Sequence, residues 1–130
     1  MQPASTKLFK KLPPSNVGRL GESIAVSFLT RKNFRILTRN FRARYGEIDI
    51  VALDGNTLVF VEVKTRSSTT YGSPKLAVGA FKIREIIRTG QYYVLEHPGS
   101  PNAMRIDVVS IMLNPLTHKT ESLEYIRNVS

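Results

Sequence analysis

No cysteine occurs anywhere in the 130 residues. That excludes disulfide stapling and thiolate-held metals, and it fits a reducing compartment. No run of about 18 apolar residues is present either, and the basic opening MQPASTKLFKKLPP lacks the apolar segment of a secretory leader. A cytoplasmic protein with no membrane span is therefore expected. Acidic residues are scarce: ten Asp plus Glu stand against nineteen Lys plus Arg, a formal net charge of +9. Across residues 1–46 there are ten bases and a single acid, Glu22. A field of that sign attracts polyanions, nucleic acid first and an anionic membrane surface second. The bases are not set opposite one exposed apolar face, so the membrane reading ranks low.

The little acid there is lies concentrated. Four of the ten acidic residues fall between Glu47 and Glu62. A basic surround enclosing a small acidic focus suits a nuclease acting on a phosphate backbone. It also suits a nucleic-acid-binding module with a solvated basic face. With 42% apolar and 22% charged residues the chain is of ordinary globular composition. Residues 1–15 are expected to form a flexible basic arm, and 16–130 a single domain.

Leu20, Ile24 and Phe28, widened by Ala25, Val26 and Leu29, predict a helix over residues 17–32 with Asn16 as its N-cap. FRILTRNF reads as a strand, followed by the basic loop RARYG and then by the hairpin GEIDIVALDGNTLVFVEVK. YGSP opens a second helix, with Ser73 as N-cap, Pro74 at the first helical position, and an apolar repeat at Leu76, Ala80, Ile83, Ile87 and Val94. Gly90 is expected to loosen its last turns. MRIDVVSIML is a strand and ESLEYIRN an edge strand. The order αβββαββ describes an α/β fold, a mixed sheet flanked by helices.

Strict alternation along the hairpin puts Glu47, Asp49 and Val51 on one face and Ile48, Ile50 and Ala52 on the other. In the partner strand Leu58, Phe60, Glu62 and Lys64 share a face. Matching apolar faces leaves two registers. A Gly55-Asn56 turn, or a four-residue loop over the same centre, sets Asp49 opposite Glu62; an Asp54-Gly55 turn sets Glu47 opposite Glu62, with Asp49 diagonal. Either way carboxylates meet, which destabilises a sheet unless something neutralises them. Lys64 could neutralise one of them. A divalent cation would neutralise the pair, and carboxylate oxygens favour Mg²⁺ or Mn²⁺.

Arg39, Arg42, Arg44 and Arg66 bracket the hairpin and are candidates for phosphate contacts. Lys82 could reach a phosphate or decorate a solvated helix face. Glu47 is open between a supporting and a ligating role. Asp107 is expected to pair with Arg105 or a neighbouring base. Tyr71, Tyr92 and Tyr93 could stack on bases, with core or boundary packing the simpler expectation. His97 and His118 lack metal-ligand spacing.

Asp49 and Glu62-Val63-Lys64, with twelve residues between the two acids, resemble the PD-(D/E)xK nuclease pattern. The fuller string of GRLGESIAVSFL, NFR, YGEIDIVALD, VFVEVKTR, YGSP and RIDVV resembles the YraN family over about residues 18–113. That resemblance implies a restriction-endonuclease-like fold similar to Holliday junction resolvases. It also implies that Asp49, Glu62 and the Val63 carbonyl hold the metal, that Lys64 orients or deprotonates water or stabilises phosphate charge, and that Glu22 is a helix-borne acid of the same set. The rival for Glu22 is an acid favoured by the helix dipole near Arg19. The function this implies is a metal-dependent endonuclease on structured or branched DNA, and a homodimer would match the two-fold character of a four-way junction. The alternative is a non-catalytic nucleic-acid-binding protein that has kept the fold.

Overall fold

The computed structural model describes residues 14–67 and 78–130. Its elements are α1 (Pro14–Arg31), β1 (Arg35–Ala43), β2 (Gly46–Asp54), β3 (Thr57–Arg66), α2 (Ala80–Glu96), β4 (Ala103–Leu113) and β5 (Thr120–Ile126). This is the expected αβββαββ order. All five strands form one sheet in the order β1-β2-β3-β4-β5. β3 and β4 are parallel and every other neighbouring pair is antiparallel. The connection between β3 and β4 crosses over through α2, as a parallel pair requires.

The β3 segment Leu58-Val59-Phe60-Val61 is buried on both faces, the near-continuous apolar run of a strand covered from two sides. Val59 and Val61 face α1, packing with Ala25, Leu29, Ile50, Ala52 and Val109. Leu58 and Phe60 face α2, packing with Ile86, Tyr93, Val51 and Ile106. The hairpin turn is Gly55-Asn56, with Asp54 paired to Thr57. Gly55 takes φ +58° at the first central position, where a side chain would be strained.

Three local expectations are corrected. Helix α1 runs from Pro14, so Asn16 is an internal residue and not the N-cap; residues 14 and 15 belong to the helix and not to an arm. Proline is tolerated in a first helical turn, where its missing N–H costs nothing. The start foreseen at Ser73 and Pro74 lies outside the described residues, as do Tyr71 and Leu76; α2 begins at Ala80, after an extended Gly79. The buried face of α2 is Ile86, Thr89, Gly90 and Tyr93, whereas Ala80 and Ile87 are exposed. Thr89 and Gly90 do not look apolar in a sequence, yet Thr89 Oγ1 donates to the Glu85 carbonyl at 2.8 Å. A Cβ on Gly90 would come within 2.6 Å of the Phe60 ring. Gly90 therefore does not loosen the helix; it lets the helix lie close on the sheet.

Gly21 does the same for α1. A Cβ there would fall 1.7 Å from Thr65 Oγ1 and 2.8 Å from Thr65 Cβ. Rotating so short a side chain cannot clear both, so the helix itself would have to move.

On the α1 face of β4 lies a closed ionic network. Arg105 Nε donates to Asp107 Oδ1 at 3.0 Å, and Arg105 Nη2 donates to Asp54 Oδ2 at 2.7 Å. Asp107, fully buried, also accepts the Tyr125 hydroxyl at 2.5 Å and the Asn128 N–H at 2.8 Å. Asp107 thus pairs with Arg105 as expected, and it ties β4, β5 and the C-terminal residues together. The network pushes the Tyr125 phenol up to about 12, through burial and then its bond to Asp107.

Two stability measurements check these contacts. Gly21→Ala should cost roughly 1–3 kcal/mol by overpacking and lower the thermal midpoint. Gly18→Ala, which meets nothing within 4 Å, should be neutral or stabilising by up to about 1 kcal/mol. Asp107→Ala should destabilise by about 3 kcal/mol or more, because it strips a buried guanidinium of its main partner.

Candidate active site

The β2–β3 ladder runs from Asp54↔Thr57 to Ile50↔Val61 and goes no further. Beyond that level β2 stays with β1 as far as Gly46, and β3 stays with β4 as far as Arg66. The two strands part like a fork. One step past the last pair, Asp49 stands level with Glu62, which is the first of the two registers. The register that set Glu47 opposite Glu62 is not adopted. Asp49 Oδ2 accepts the Val63 N–H at 2.8 Å, taking the place of a ladder bond at the point where the strands separate.

Alternation along β2 breaks here. Ile50 and Ala52 pack on the α1 face, but Ile48 packs with Val51 on the α2 face. Strict alternation had put Ile48, Ile50 and Ala52 together. The β1–β2 ladder passes from Arg39↔Ile50 to Phe41↔Ile48 and skips the level of Asn40 and Asp49. Asn40 has φ +53°, a left-handed conformation that asparagine accepts more readily than most residues. The side chains change face across that level, and Asp49 sits at the change.

Both helices deliver side chains to the fork. The close approach at Gly21 sets the next residue, Glu22, beside it. One carboxylate oxygen from each of Glu22, Glu47 and Asp49 lies within 4.8 Å of the others. Glu62, only 5% exposed, lies outside that trio but close enough to act on Asp49 by charge and hydrogen bond. Its Oε2 is 3.7 Å from Lys64 Nζ and 3.9 Å from Lys82 Nζ, and Lys82 also pairs with Glu85 at 3.6 Å. Lys82 is therefore turned toward the acids and does not merely decorate a solvated helix face.

The electrostatics follow from this crowding. Asp49 is pushed up to about 7, first by burial and then by the charge of Glu62, with the Val63 N–H pulling the other way. Glu22 is also raised, mainly by burial; the Asn40 amide opposes this, Asp49 adds to it and Arg39 offsets it. A half-buried aspartate raised in this way beside other carboxylates marks a site short of positive charge.

The remaining candidates are distributed around this centre. Arg39 Nη2 lies 3.4 Å from Ser23 Oγ, near Glu22. Arg42 pairs with Glu47 at 3.1 Å. Arg44 lines an open groove of about 590 Å³ with Arg42, Glu47 and Glu85. Arg66 closes β3, level with Met112. Val63 is engaged through its N–H. Tyr93 is core, in edge contact with Phe41 and Phe60, and Tyr92 leans on Phe41. Arg19 is exposed, and the groups acting on Glu22 are Asn40, Asp49, Arg39 and Glu47. Sequence reasoning missed Asn40 and Glu85. An asparagine inside a strand, where it is disfavoured, was the available signal for the first; nothing local marks the second.

A mixed five-stranded sheet with a helix on each face, and acids and lysines gathered where two strands part, defines an α/β domain consistent with a restriction-endonuclease-like fold. The chain belongs to the Uncharacterised protein family UPF0102, which it matches over residues 21–111, and this is the YraN family that its motifs resemble. Curated relatives include a UPF0102 protein of Persephonella marina, 45% identical across 78% of this chain and 87% of the relative. Another, of Geotalea daltonii, is 47% identical across 86% of this chain and 87% of its own. A third, of Geobacter metallireducens, is 51% identical across 74% and 79%. Among the described residues no helix is long and apolar enough to cross a membrane.

A raised carboxyl pKa means that the folded state binds the proton more tightly than the unfolded state. Stability should therefore fall as pH rises from about 4 toward 7, the interval between the ordinary and the raised value of Asp49. Asp49→Asn keeps an acceptor for Val63 and carries no charge. In chelator it should melt above wild type at pH 8, with the gap closing toward pH 4; a constant gap across that range would count against the charge crowding.

Proposed function

We propose that this chain is a metal-dependent endonuclease that hydrolyses phosphodiester bonds in structured or branched DNA. The observation that carries the reading is the fork: Asp49, held by the Val63 N–H, is joined by Glu22 and Glu47 and acted on by Glu62, with Lys64 and Lys82 beside Glu62. The donor set fits Mg²⁺ or Mn²⁺, being hard carboxylate oxygens gathered closely enough that Asp49 is raised to about 7, by burial and then by the charge of Glu62. Asp49, Glu62 and Glu22 would hold the ion, with Glu47 and the Val63 carbonyl as further donors. When bound, such an ion polarises a phosphoryl oxygen and lowers the pKa of water.

The chain's own residues do the rest. Asp49, raised to about 7 by burial and then by the charge of Glu62, gives up its proton to become a charged donor. Lys64 sets an ammonium beside Glu62, where it can orient the attacking water and stabilise charge building on the phosphate. Arg39, Arg42, Arg44, Arg66 and Lys82 would steady the flanking backbone, within a chain whose net charge is +9. A homodimer would match the two-fold character of a junction.

One observation favours the rival reading, a nucleic-acid-binding protein without turnover. Glu62 already has two ammonium groups within 4 Å, so part of its charge is satisfied without a metal. Cleavage of junction, flap, single-stranded and duplex DNA with Mg²⁺ and Mn²⁺ separates the two. Wild type should nick at least one substrate, and Lys64→Ala should slow it by roughly 10²–10⁴-fold. Calorimetry should show Mn²⁺ binding that Asp49→Asn abolishes. Equal cleavage by wild type and Lys64→Ala would mark a contaminant and remove the assignment.

A further inference from the structure

The turn between β1 and β2 and the start of α2 carry a feature that the proposed chemistry leaves unused. Tyr45 and Phe81 are 46% and 74% exposed, and both rings border one depression of about 220 Å³, with Arg84, Glu85 and Arg88 as its other walls. Scattered exposed apolar residues are ordinary, but two aromatic rings sharing one basic hollow are not. The Arg88 guanidinium lies 4.9 Å over the Tyr45 ring, a cation–π contact that holds the ring at the edge of the hollow.

The hollow is continuous with the acidic fork. Tyr45 and Glu85 also line the wider groove that contains Arg42, Arg44 and Glu47. Glu47 belongs to the carboxylate cluster, and Glu85 is linked through Lys82 to Glu62. A strand whose phosphates follow the groove arginines would thus pass the aromatic hollow next to the carboxylates. Arginine at the walls and aromatic faces at the rim are the two halves of single-strand recognition: charge for the backbone, π-faces for the bases. A paired, stacked base has no free face to offer, and the hollow is too small to admit a duplex.

We propose that the Tyr45–Phe81 hollow is a stacking pocket for one unpaired nucleobase, with Arg84 and Arg88 on the phosphates beside it. Its placement next to a cleaved bond rests on the endonuclease reading; base stacking itself requires only nucleic-acid binding. The substrate class is then a strand with at least one unpaired nucleotide flanking the site of reaction.

The test uses the full chain in chelator, so that no cleavage occurs. 2-Aminopurine is moved through each position of a short single-stranded DNA, and affinities for that strand and for a duplex of the same length are measured. Wild type should quench one or two positions strongly. Phe81→Ala and Tyr45→Ala should abolish that quenching and weaken single-strand binding by roughly 5–150-fold, with duplex binding changed far less. Phe81→Trp should restore quenching. Both residues are exposed, so unchanged melting temperatures should accompany these effects. Uniform quenching, or equal losses for single strand and duplex, would overturn the pocket and leave the endonuclease reading standing. Failure of wild type to bind either DNA would remove both.

Discussion

Where β2 and β3 part, the N–H of Val63 is held by the carboxylate of Asp49, and the candidate site grows from that bond. A ladder bond at this level would have zipped the hairpin shut and covered the fork. A side-chain acceptor satisfies the same donor while leaving the strands apart, and it fixes Asp49 in the gap. In the gap, side chains from both faces of the sheet meet. Glu22 comes from α1, Lys82 from α2, and Glu62 with Lys64 from β3. The close seating of both helices, through Gly21 on Thr65 and Gly90 on Phe60, brings those side chains within reach.

Two aspartates in this small domain, Asp107 buried and Asp49 half-buried, differ in how their charge is answered. Asp107 is met by a guanidinium, a phenol and a backbone N–H; its charge is answered from within, and it locks β4 to β5. Asp49 is met by one N–H and by the negative charge of Glu62 and Glu47. Leaving such a group unanswered lowers stability, and a fold retains that kind of cost where something outside the chain completes the site. The bases nearest these acids, Arg42, Lys64 and Lys82, each lie within 4 Å of a neighbouring carboxylate.

Much of this arrangement was legible before any coordinates. Apolar matching across the hairpin narrowed the register to two, and the adopted one is that of a Gly55-Asn56 turn, with Asp49 level with Glu62. The element order followed from periodicity, and the pairing of Asp107 with Arg105 from their proximity on one strand. The buried face of α2 was only partly legible: Ile83 and Val94 do pack on the core, but Thr89 and Gly90 are buried without being apolar, and Gly90 is there for the close approach of Phe60. The face change at Asn40 and Asp49 was missed because strict alternation is a property of a regular strand, and a left-handed residue in the neighbouring strand interrupts it.

The sequence by itself determined the strands and the identity of the acids and narrowed the hairpin register to two, because turn chemistry and the two-residue period act over a few neighbouring residues. Only the tertiary structure decided which of those acids meet. Glu22 lies 27 positions from Asp49 and Lys82 lies 20 from Glu62, and nothing local relates them. Their convergence depends on a helix seated against each face of one sheet, and on two strands that separate at the level where those helices can reach in.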